Sequence, residues 1–208
     1  MNIKVCGITQ FKQLQQLDGL NIDYAGLIFV ADSPRYVGDL LNKNEVKNAD
    51  FDLKKVGVFK DAELIDVIDA IDDYGLDVVQ LHGNESPELC DDLSSQAEVI
   101  KVFPIDDSVT DIDALVADYD GVCDYYLFDT KSGDETGGTG KQFDWEILRK
   151  AKIEKPFFIS GGISVDDIAK IKKFKHLDFL GVDINSQFEK EPGVKDMAKV
   201  LAFVQGMK

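Results

Sequence analysis

Eight short apolar runs recur along the chain, and what separates them limits the folds open to it more than any other feature. The runs are IKVC (3–6), YAGLIFV (24–30), KKVGVF (54–59), DVVQLH (77–82), EVIKVF (98–103), YYLFD (125–129), PFFIS (156–160) and FLGVDI (179–184). Each is rich in Val, Ile, Leu or Phe and is bounded by turn signals, the pattern of a strand buried on both faces. Between them lie segments of helical period. In 62–75, Leu64, Ile65, Ile68 and Ile71 share one face while aspartates take the other, and Gly75 is placed to stop the helix. Further helices are expected over 10–18, 43–49, 86–93, 110–118, 143–151, 164–174 and 195–206. Ser86-Pro87 before Glu88 is an orderly helix opening.

Continuous apolar strands separated by helices require a parallel sheet covered on both sides. Eight such units in 208 residues, without a flexible linker or a break in composition, predict one α/β domain over 1–208. It is a parallel eight-stranded (β/α)8 TIM barrel with outer helices. A doubly wound open sheet is the alternative, although the dinucleotide fingerprint GxGxxG is missing after the first strand.

In such a barrel, chemistry belongs to the carboxyl ends of the strands, and there the polar residues gather. Strand one ends in Cys6, and strand two leads to Arg35. Gln80 and His82 close strand four and Asp129 closes strand six. Ser160-Gly161-Gly162 follows strand seven, and Asp183, Ile184 and Asn185 close strand eight. A free cysteine is more often a small buried hydrophobe than a reagent. Cys6, however, precedes a helix that Thr9 is placed to cap, and a helix N-terminus favours a thiolate. Asp129 follows four apolar residues, where desolvation raises a carboxyl and suits a general acid; it equally suits a cap. Together Cys6 and Asp129 offer a base and an acid across one mouth.

The glycine-rich loop over 130–142 has the composition of a lid or an anion wrap. SGGIS (160–164) enters a helix and offers free backbone N–H groups to a phosphate. Arg35, stiffened by Pro34, suits a bidentate contact with a carboxylate, or else a surface salt bridge.

Charge narrows the partners. A net charge of −16 repels phosphate backbones and anionic lipid, so neither nucleic acid nor membrane is expected, and a small-molecule partner is. Cys6, Cys90 and Cys123 are an odd count without a CxxC pair, which disfavours disulfides and zinc. With no leader pattern or apolar span, a cytoplasmic setting is expected.

The motifs KVCGIT (4–9), SPRYV (33–37), VQLHG (79–83), GGTGKQFDW (137–145), SGGI (160–163), GVD (181–183) and PGVKD (192–196) appear in this order. In this the chain resembles the phosphoribosylanthranilate isomerase family of tryptophan biosynthesis. The resemblance implies a single barrel, monomeric or homodimeric, acting on a phosphosugar by an Amadori rearrangement without cofactor or metal. It assigns the general base to Cys6, the general acid to Asp129 and the anthranilate carboxylate to Arg35. The phosphate falls to the backbone at Gly161, Gly162, Asp183, Ile184 and Asn185. Ile184-Asn185-Ser186-Gln187 departs from the family's two small hydroxyl residues and glycine, and Phe128 replaces a leucine.

Other readings on the same scaffold are an indole-glycerol phosphate synthase, which needs a lysine acid and has only Lys101, and a metal-dependent epimerase, for which two histidines are too few. A phosphosugar-binding protein without turnover is the non-enzymatic alternative.

Overall fold

A computed structural model describes residues 1–131 and 142–208. Each apolar run forms a strand: β1 (Asn2–Cys6), β2 (Tyr24–Ile28), β3 (Lys54–Phe59), β4 (Val78–Leu81), β5 (Glu98–Ile105), β6 (Tyr125–Thr130), β7 (Phe157–Ile159) and β8 (Phe179–Ile184). They close into a parallel barrel in sequence order, and the seam pairs β1 with β8 from Asn2↔Gly181 to Val5↔Ile184.

Successive strand side chains point to opposite faces, so every strand serves two cores. Tyr24, Val56, Val78, Ile100, Val102, Leu127 and Phe158 pack together in the lumen. Nearer the carboxyl ends Cys6, Ile28 and Val58 form a second layer. The alternate residues, among them Val5, Leu27, Val79, Phe103 and Phe128, join the helices in the large outer core. This double burial is why the runs read as unbroken apolar segments.

The helices are α1 (Phe11–Asp18), α2 (Lys43–Lys47), α3 (Leu64–Tyr74), α4 (Pro87–Ser94), α5 (Ile112–Val116), α6 (Glu146–Lys150), α7 (Ile168–Lys173) and α8 (Met197–Met207). Gly75 ends α3 in the left-handed conformation, and the Ser86 side chain accepts from the Leu89 N–H at the start of α4. None of the described helices is long and apolar enough to cross a membrane.

Several expectations shift. The helix over 110–118 divides into α5 and a 3-10 turn, Ala117–Tyr119. That over 164–174 opens with a 3-10 turn, Val165–Asp167. The helix expected from 195 begins at Met197, because Pro192-Gly193 turns a hairpin of β9 (Glu189–Glu191) and β10 (Val194–Lys195). Gly193, at φ +83°, supplies the left-handed turn residue. Thr9 does not cap α1: Gln10 holds that position without a side-chain bond, and the Thr9 hydroxyl donates to the Gly193 carbonyl at 2.6 Å. Most of the expected lid over 130–142 lies outside the described residues.

The seam is closed without tolerance for a side chain at Gly181, where an added Cβ would strike the Asn2 carbonyl oxygen and lie 2.7 Å from its carbon. Gly181→Ala is therefore expected to destabilise the protein by about 2 kcal/mol or more, since the obstacle is backbone rather than a mobile side chain. Chemical denaturation measures this, and an unchanged midpoint would show that the seam gives way.

Candidate active site

The carboxyl ends of β1, β4, β6 and β8 bring four kinds of titratable group to one mouth. Cys6 ends β1 and pairs in register with Gly26 of β2. A Cβ at Gly26 would meet the Cys6 Sγ at 2.7 Å and the Lys4 Nζ at 3.2 Å, so glycine leaves the room in which thiol and ammonium converge. Lys4 is fully buried and its Nζ donates to Asp183 Oδ2 at 2.8 Å. Burial works against the Lys4 charge, but Asp183 and the Cys6 sulfur outweigh it and hold the ammonium above its ordinary range.

The position of Cys6 corrects the expected source of its acidity. Helix α1 starts five residues on and presents no capped N-terminus to the sulfur. Burial pushes the thiol up, and what opposes it is Lys4 and then Lys195, while Asp183 adds to the rise. Lys101 near Cys90 and Lys155 near Cys123 also oppose the rise, but burial prevails. It carries these two thiols up to about 11 and about 12, in keeping with packing roles.

Asp129 is less desolvated than the apolar run before it suggested: its side chain keeps 23% exposure, and its Oδ2 lies 3.4 Å from His82 Nε2. Gln80 in turn stands 3.5 Å from His82 Nδ1. Asp183 links the two sides, since its carboxyl feels both Asp129 and His82 as well as Lys4.

Arg35 lies over Gly7, where a Cβ would meet its Cδ at 2.7 Å, and its fork is already engaged. Nε donates to Glu189 at 2.9 and 3.0 Å and Nη2 at 2.7 Å, leaving the Nη1 side without a partner among the described residues. Glu189 also accepts from Lys195 Nζ at 2.7 Å and from the Gly193 N–H at 3.1 Å. Lys195 reaches on to the Asn185 Oδ1 at 2.7 Å. The asparagine that departs from the family pattern is thereby held by a buried lysine at the end of β8.

Behind β7, Gly161 and Gly162 adopt φ of +93° and +67°, and their N–H groups meet no acceptor among the described residues. A Cβ on Gly161 would run into the Thr130 side chain. The helix N-terminus after them is not the open anion site that SGGIS suggested. A capping box occupies it, with Ser164 N–H on Asp167 at 2.8 Å and Asp166 N–H on Ser164 Oγ at 3.2 Å.

Lys101 faces away from the lumen. It alternates with Ile100 and Val102, donates to Glu85 and the Gly83 carbonyl at 2.8 Å each, and lies over the Tyr119 ring. Among the described residues no group of three His, Cys, Asp or Glu is placed to hold a metal.

Sequence reasoning missed Lys4, Glu189 and Lys195. Lys4 stands at an inward position of β1, which the parity with Cys6 reveals once the barrel is assumed. Glu189 carries no comparable signal.

Burial opposes ionisation of Glu189, but the hydrogen bonds from Arg35 and Lys195 outweigh it and hold its carboxyl below the ordinary range. Its contribution to stability is complete above the unfolded carboxyl's value of about 4.3 and is lost as pH falls through the lowered folded value. Thermal unfolding of Glu189→Gln should fall below wild type at neutral pH and converge with it under acid conditions. A gap that stays constant with pH would contradict the pairing.

Residues 3–206 match the model of the N-(5'-phosphoribosyl)anthranilate isomerase family. The N-(5'-phosphoribosyl)anthranilate isomerase of Parabacteroides distasonis is 40% identical over 207 residues, covering 99% of this chain and 92% of the relative. The crystal structure of phosphoribosyl anthranilate isomerase from Thermotoga maritima is 26% identical at a TM-score of 0.84, covering 100% of this chain and 98% of the other. A second isomerase structure holds reduced 1-(o-carboxyphenylamino)-1-deoxyribulose 5-phosphate. It is 26% identical at a TM-score of 0.82, with the same coverage. Matched along almost its whole length in sequence and in barrel, this chain belongs to the N-(5'-phosphoribosyl)anthranilate isomerase family.

Proposed function

We propose that this one barrel domain isomerises N-(5-phospho-ribosyl)anthranilate to 1-(2-carboxyphenylamino)-1-deoxyribulose 5-phosphate in tryptophan biosynthesis, with Cys6 as general base and Asp129 as general acid. The observation that carries the reading is the convergence of Cys6 and Asp129, from β1 and β6, on one mouth that Asp183 joins electrostatically.

The reaction needs only protons to move. Asp129 gives one to the furanose ring oxygen, the C1–O bond breaks, and the anilino nitrogen's lone pair forms the Schiff base. Cys6, as thiolate, takes the proton from C2, and the electron pair flows into the C1–C2 bond and neutralises the iminium. The resulting enolamine tautomerises to the ketone. His82, whose Nε2 lies 3.4 Å from Asp129 Oδ2, is placed to orient the carboxyl.

The ends of the substrate fit the two sides of the mouth. A carboxylate meets the open Nη1 side of Arg35, whose other edge Glu189 fixes. A phosphate meets the unpaired N–H groups of Gly161 and Gly162, with the turn at Asp183, Ile184 and Asn185 beside them. The outward course of Lys101 gives no support to a lysine acid in its place.

Turnover followed by anthranilate fluorescence should fall by about 10²–10⁴-fold in Cys6→Ser and in Asp129→Asn. Arg35→Met should raise KM by about tenfold or more through loss of a charge-assisted contact. Near wild-type turnover in either of the first two would remove the assigned role.

A further inference from the structure

The mouth holds one charged group that the proton transfers do not use. Lys4 has no exposure at all, in a lumen otherwise filled by Tyr24, Val56, Val78, Ile100, Leu127 and Phe158. An ammonium so placed costs several kcal/mol in lost hydration unless a partner offsets it, and an apolar side chain would fill the space more cheaply. Asp183 supplies the partner, directly opposite in the β1–β8 register. The pair does more than close the seam, because the Lys4 Nζ also stands near the Cys6 Sγ across the gap left by Gly26.

We infer that Lys4 is a positioning residue whose ammonium, held in place by Asp183, favours the thiolate of Cys6 at the mouth end of β1 against the cost of burial. The inference deepens the assignment of Cys6 as base and rests on it. A buried thiol surrounded by Ile28 and Val58 has no water to stabilise its anion, so a fixed cation is the means available. The groups facing Cys6 are Lys4 from its own strand, Asp183 from β8 and Lys195 from β10, with His82 and Asp129 beyond Asp183. The near cation is Lys4. Lys195 is already committed to Glu189 and Asn185. Asp183 engages Lys4 through Oδ2 alone, which leaves the ammonium donors to spare on the side of the sulfur, while the Asp183 charge itself works against the thiolate.

A purely structural lysine and one that favours the thiolate differ in what they do to the Cys6 titration. The test follows the far-ultraviolet thiolate absorbance of the full chain against pH, with the Cys6→Ser protein subtracted, alongside the pH profile of kcat/KM. Lys4→Met should move the thiol midpoint up by at least about one pH unit, a tenfold loss of thiolate below it, and carry the acid limb of kcat/KM with it. Lys4→Arg should restore most of both. Where Lys4→Met fails to fold, Lys4→Gln decides: it keeps a donor for Asp183 and removes the charge, and should move the midpoint up in the same way. A folded Lys4→Met or Lys4→Gln with the wild-type midpoint overturns the inference. Full turnover in Cys6→Ser would instead end the role of Cys6 as base, while the absorbance would still report whether Lys4 governs the thiol.

Discussion

Closing eight strands on themselves fills the lumen with side chains, so that a charge admitted to it needs a partner close by. That constraint shapes the rest of the molecule. Below the mouth the lumen is filled by aromatic and branched side chains. At the level of Lys4 it admits charge, and only because Asp183 lies opposite in the neighbouring strand at 2.8 Å. Cys6 and Ile184 are still buried, and partial exposure returns only at Thr9 and Asn185. The reactive groups therefore stand at a boundary, with low-dielectric packing beneath and an open mouth above.

A second ordering element lies outside the barrel. Glu189, with a side chain only 5% exposed, accepts from Arg35, Lys195 and Gly193, and so binds the loop after β2 to the segment after β8. Thr9 adds the loop after β1 by donating to the Gly193 carbonyl. Three βα loops that are remote in sequence are thus fixed by one small hairpin. The PGVKD motif makes sense in these terms: proline and glycine turn the chain, lysine bridges Glu189 to Asn185, and aspartate caps α8. What it supplies is position rather than chemistry.

Much of this was legible in the sequence, for identifiable reasons. Strands buried on both faces have no polar alternation to blur them, so all eight stood out, and β3 and β8 match at both ends. Ser86 and Gly75 announced helix ends through local backbone chemistry that needs no tertiary partner. What the sequence hid was the partner each group takes, whether near or far along the chain. Thr9 looked like a cap because its real partner is 184 residues away. In SGGIS a Ser164–Asp167 box fills the helix start, while the Gly161 and Gly162 N–H groups before it meet no acceptor among the described residues. Arg35 was open to either a substrate carboxylate or a salt bridge, and the salt-bridge partner, Glu189, lies in a segment without a pattern of its own. Support for the Cys6 thiolate was sought in a helix, whereas the cation that opposes the effect of burial on it stands two residues earlier in the same strand.

The central claim is that a thiol and a carboxyl face one bound sugar from opposite sides of the mouth. A crystal structure of this chain with reduced 1-(o-carboxyphenylamino)-1-deoxyribulose 5-phosphate tests it most directly. The account predicts the Cys6 sulfur against C1 and C2, and an Asp129 oxygen within about 3.2 Å of the hydroxyl released by ring opening. A ligand whose C2 lies beyond reach of Cys6, or an Asp129 carboxyl turned away from the sugar, would contradict it.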